Sequence, residues 1–82
     1  MSDNVLLAFN ELVELGCTCY DRQDDGGHFV ISGEEGDGLL DYYEEYPGDF
    51  VFGIHRSIVD ALAKHGLYAE WYNPGFALVY DI

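Results

Sequence analysis

Eighty-two residues provide one hydrophobic core and no more, since domains usually run to about 100–150 residues and small ones bury proportionately less surface, so the expectation is one domain over residues 1–82. A hydrophobic fraction of 49% and an aromatic fraction of 16% exclude a disordered acidic chain. Sixteen Asp and Glu against three Lys and Arg give a formal net charge of −13, beyond the magnitude of about 2 to 8 that solubility asks of a small domain, and this sign excludes direct binding of nucleic acid or of an anionic membrane.

In chain order, Ser2 or Asp3 is placed to cap a first helix, in which Val5, Leu6, Phe9, Leu12 and Val13 recur as one helical face. Gly16 stands where a helix ends in a left-handed residue. Residues 17–21 then read as a strand, the polar run at 22–27 as a turn, and residues 28–32 as the returning strand, with Phe29 and Ile31 on one face and Val30 on the other. Cys17 and Cys19, two apart, share a strand face. A bond between them is geometrically poor, so reduced thiols are expected.

Residues 33–38 are turn-rich. Beyond them Leu39, Leu40 and Tyr43 share a helical face and Asp41, Glu44 and Glu45 the opposite one, with Asp37 as N-cap and Pro47-Gly48 as the stop. A further helix is expected after Asp49, with Ile54, Ile58, Ala61 and Leu62 inward and Lys64, His65 and Gly66 closing it. The last hairpin joins residues 67–72 to 76–81 through Asn73-Pro74-Gly75, whose Pro and Gly suit a type II turn.

Helix, Gly stop, strand, Gly-containing turn and a Phe-led apolar strand thus occur twice, about fifty residues apart. The predicted fold class is α+β: a four-stranded antiparallel sheet from two hairpins, with two to three helices packed mainly on one face.

No motif for catalysis is present: no nucleophile elbow, P-loop or paired-histidine zinc helix occurs, and an enzyme is not expected. Cys17-x-Cys19 with His28, His55 and His65 lacks the ligand spacing of common zinc sites. Asp24-Asp25-Gly26-Gly27 and the segment from Glu34 to Gly38 lack the spacing of a calcium loop. Neither a metal nor a cofactor is therefore expected. The segment beginning Met1-Ser2-Asp3-Asn4 has no positive n-region, and no apolar run approaches the ~18 residues of a membrane span, so the expected location is cytoplasmic.

The distribution of charge carries the functional expectation. Between Arg22 and Arg56 there is no Lys or Arg, yet the stretch holds Asp24, Asp25, Glu34, Glu35, Asp37, Asp41, Glu44, Glu45 and Asp49. A single-sign field of this kind steers a partner of opposite sign. Tyr42 and Tyr46 interleave with these carboxylates, and a rigid phenol beside an acceptor of bidentate Arg is good interface chemistry. Helical carboxylates three or four apart lie about 5 to 6 Å from one another, a step comparable to that between backbone phosphates. The expected partner is a basic nucleic-acid-binding protein, with the chain itself a monomer or weak homodimer.

In size, charge and lack of catalytic motifs the chain resembles small phage-encoded inhibitors of host defence, the anti-CRISPR and anti-restriction proteins that mimic DNA. That resemblance implies an inhibitor that occupies the nucleic-acid path of a CRISPR effector complex or nuclease in the host cytoplasm. The competing expectation is an acidic cytosolic protein-interaction module whose charge serves solubility or salt adaptation.

Overall fold

In the computed structural model, residues 2–21, 27–33, 40, 50–51 and 53–82 are described. The elements are α1 (Asp3–Glu14), β1 (Cys19–Tyr20), β2 (Val30–Ser32), β3 (Phe50–Val51), β4 (Ile54–His55), α2 (Arg56–Lys64), β5 (Leu67–Asn73) and β6 (Phe76–Asp81). Two hairpins, β1–β2 and β5–β6, join edge to edge into a four-stranded antiparallel sheet of order β1-β2-β6-β5. The α+β class and the two-hairpin sheet expected from sequence are the observed architecture, and the twofold α-β-β order gives the sheet a palindromic layout.

Burial explains the strand order. β2 and β6 form the centre because their apolar residues are contiguous: Val30 and Ile31, and Ala77, Leu78 and Val79, are buried on both faces. β5 alternates buried or half-buried Leu67, Ala69 and Trp71 with exposed Tyr68, Glu70 and Tyr72, the pattern of a strand with one covered face. Under the helices, Val5, Ala8 and Leu12 of α1 and Ile58, Ala61 and Leu62 of α2 close on Phe29, Ile31, Leu67, Ala77 and Val79. Phe9 meets Phe29 edge to face, with ring centroids 5.1 Å apart.

α1 ends as its sequence dictates. Gly16, at φ 104°, lets its own N–H reach Val13 O and the Cys17 N–H reach Leu12 O, the paired bonds of a Schellman stop. Gly66 likewise ends α2 in a left-handed residue, at φ 75°, with its N–H on Ala63 O. The two helices are linked by polar contacts: Asn4 Nδ2 donates to the His65 carbonyl at 3.0 Å, and Lys64 Nζ lies 2.9 Å from Glu11.

Several expectations are corrected. The inward stripe of α1 is Val5, Ala8 and Leu12, whereas Leu6 and Val13 are exposed, because a helix touching one sheet buries a narrower arc than its apolar residues span. Ser2 occupies the N-cap position, but its hydroxyl bonds Asn4 Oδ1 and caps no backbone amide. The first strands are shorter than residues 17–21 and 28–32. Leu40 forms an isolated antiparallel bridge with Ile54 where a helical face was expected. Ile54 itself lies in β4, paired with β3, and α2 begins only at Arg56. His55 caps that helix through Nδ1, which accepts from the Ser57 N–H at 3.1 Å. At the last turn, Gly75 lacks the positive φ of a type II turn; Asn73 Oδ1 instead accepts from the Gly75 and Phe76 amides at 2.8 and 3.1 Å.

Candidate functional site

Strand register separates two surfaces with different chemistry. The row Cys19, Ile31, Ala77, Trp71 lies beneath the helices, and the row Tyr20, Val30, Leu78, Glu70 lies on the opposite face. On that second face Val30 and Leu78 are buried, flanked by aromatics on both sides. Tyr68 and Tyr80 are directly opposed at 5.7 Å between centroids, and Tyr72 stacks on Phe76 at 5.3 Å with an interplanar angle of 7°. Tyr20, Tyr68 and Tyr72 nevertheless expose 43%, 43% and 55% of their surface. The face therefore presents phenols around a small apolar centre, with Glu70 among them.

The described cations lie on one side, together with the acidic residues Asp3, Glu11, Glu14 and Asp60 of the helices. Among the described residues the cations are Arg56 and Lys64, both on α2 and thus on the helix side. Lys64 is engaged by Glu11, which also lies 3.3 Å from His65 Nε2. The hydrogen bond from Lys64, and then that from His65, holds the Glu11 carboxyl below the usual carboxylate range. At the end of the sheet His28 Nε2 lies 3.0 Å from Asp81.

The sequence-predicted partner-binding residues Asp24, Asp25, Glu34, Glu35, Asp37, Asp41, Tyr42, Glu44, Glu45, Tyr46 and Asp49 all lie outside the described residues. Both cysteines are described and are thiols packed against the core. Burial, with a smaller contribution from Cys17, pushes the Cys19 thiol up to about 12. A thiol raised in this way is a poor nucleophile at neutral pH. No three His, Cys, Asp or Glu side chains group as metal ligands among the described residues. No described helix is long and apolar enough to cross a membrane.

Sequence reasoning passed over the phenols of the second face. The signal was available in the alternation Tyr68, Glu70, Tyr72, which places three non-core side chains on one side of β5. Comparison of the chain with protein-family models, curated proteins and solved structures returns no match.

Proposed function

We propose that this chain is a non-catalytic acidic decoy that occupies the nucleic-acid groove of a basic protein, a host-defence effector of the CRISPR type being the partner its general character suggests. The observation that carries this reading is the run of carboxylates between Arg22 and Arg56, uninterrupted by any Lys or Arg, within a chain of net charge −13. A groove built for phosphates meets charges of the same sign at a similar spacing, and releases the anions it holds when they bind. The second sheet face supports the reading. It offers Tyr20, Tyr68 and Tyr72 beside Glu70, a combination suited to Arg side chains.

Competition for a basic nucleic-acid-binding effector, measured across a salt series, tests the proposal. The expected result is displacement of nucleic acid, with affinity falling steeply as ionic strength rises. Reversing Asp41, Glu44 and Glu45 to Lys together is expected to abolish displacement while the circular dichroism of the fold persists. Binding indifferent to salt and to that triple reversal would show that the charge serves some other end.

A further inference from the structure

β5 is the outer strand of the sheet, and its backbone parity is fixed by its neighbours. Val79 spends both its backbone groups on the first hairpin, with its N–H on Phe29 O at 3.1 Å and its carbonyl accepting from His28 N at 2.7 Å. The Ile82 N–H reaches Gly66 O at 3.0 Å on the opposite side of β6. Ala69 stands opposite Val79, and Leu67 opposite Asp81. Both must therefore turn their N–H and C=O groups away from β6, toward the outside of the sheet. Among the described residues no backbone group pairs with them.

A groove of about 600 Å³ lies along this edge. Five consecutive β5 residues, Leu67 to Trp71, line it, so it follows the strand's outer margin and not just one face. Its other wall is apolar, formed by Val59, Leu62 and Ala63 of α2 with Val51 and Ile54 of β3 and β4. Tyr68 and Glu70 border it on the second-face side. A long edge whose Leu67 and Ala69 backbone groups no described residue pairs is a template for strand addition, in which backbone bonds supply affinity and alternate side chains supply selectivity.

We infer that the β5 edge accepts an extended segment of a partner protein in which apolar residues alternate with Lys or Arg. Apolar side chains of the added strand enter the groove against Val59, Leu62 and Ala63, while the intervening cations emerge beside Tyr68 and Glu70. The inference rests on the reading of the chain as a binder of basic partners and names a local mode of attachment for it. Charge selects this occupant over a second copy, because pairing β5 with itself would bring together two chains of −13 each.

The test uses a fluorescent peptide of alternating Lys and Val that matches the seven residues of β5, with anisotropy as the readout. Controls are a peptide of the same composition with its Lys and Val in separate blocks, and the alternating peptide N-methylated at every second amide. Two variants probe the chain: Ala69→Pro removes an outward N–H that the ladder to β6 does not use, a position where edge strands tolerate Pro. Ala63→Trp fills the groove from an exposed helix position. The alternating peptide is expected to bind roughly tenfold or more tightly than the block peptide, and N-methylation and each variant to remove that advantage while the circular dichroism of the fold persists.

Equal binding of alternating and block peptides, or indifference to both Ala69→Pro and Ala63→Trp, overturns the edge site and leaves the acidic-decoy reading standing. Failure of the alternating peptide to bind overturns the edge site, and failure of both basic peptides together with no displacement of nucleic acid in the effector assay sinks both readings. Sedimentation of a dimer that Ala69→Pro dissociates would assign the edge to a second copy and overturn the inference.

Discussion

The two hairpins occupy equivalent places in the sheet but are built differently. β1 and β2 have two and three residues, whereas β5 and β6 have seven and six. So short a first hairpin cannot be held by its own ladder; it is held by what lies beneath it, above all Phe29 with Phe9 against it. The second hairpin has a long ladder, a turn fastened by Asn73, and stacked aromatics along one face. Anchorage comes from packing in one half and from pairing in the other. The edges differ accordingly: β1 is blunted by its brevity, whereas β5 is long and turns the backbone groups of Leu67 and Ala69 outward, unpaired among the described residues.

Substitutions can break this contrast, in descending order of effect. Phe29→Ala is expected to cost about 3–5 kcal/mol, a large part of the stability of a domain this small, measured by denaturant unfolding. No single change in the turn of the second hairpin should approach that. Gly66→Ala should cost about 1–2 kcal/mol. The added methyl meets no atom within 4 Å, so the loss would report the φ of 75° alone. Asn73→Ala should cost about 1 kcal/mol or less. Hydrogen exchange should localise its effect to the amides of Gly75 and Phe76, with the ladder beyond them still protected. The smallest effect is expected from Glu11→Gln, which weakens the link between α1 and α2.

That last variant has a pH signature. The folded carboxyl of Glu11 is depressed by Lys64 and His65, so its contribution is present above the ordinary carboxylate range. It is lost as pH falls through the lowered folded value. Thermal midpoints of the native chain and of Glu11→Gln should therefore differ slightly at neutral pH and converge in acid.

Legibility in the sequence followed the strength of local periodicity. Gly16 and Gly66 marked both helix ends, and Phe29, Val30 and Ile31, like Ala77, Leu78 and Val79, announced the strands that became the sheet's centre. β3 and β4 were invisible because two-residue strands carry no period, and the spacing of Ile54 from Ile58 fits a helix equally well. The cap of α2 was hidden for a chemical reason: it is the imidazole of His55, in a position usually held by Ser, Thr, Asp or Asn. For function, the acidic residues from Asp24 to Asp49 were legible as composition but lie outside the described residues. The β5 edge was not legible, since which strand lies outermost depends on how β2 and β6 pair.

Trp71 joins these two regions. It stands opposite Ala77 in the ladder, and its ring comes so near Gly33 that a Cβ built there would stand 3.0 Å from it, while the same residue lines the groove beside β5. It is also the chain's single tryptophan. Tryptophan emission, excited at the red edge where the seven tyrosines do not absorb, thus has one source, seated at the seam between the halves, and its wavelength and quenching offer an optical gauge of whether that seam is closed without any attached dye.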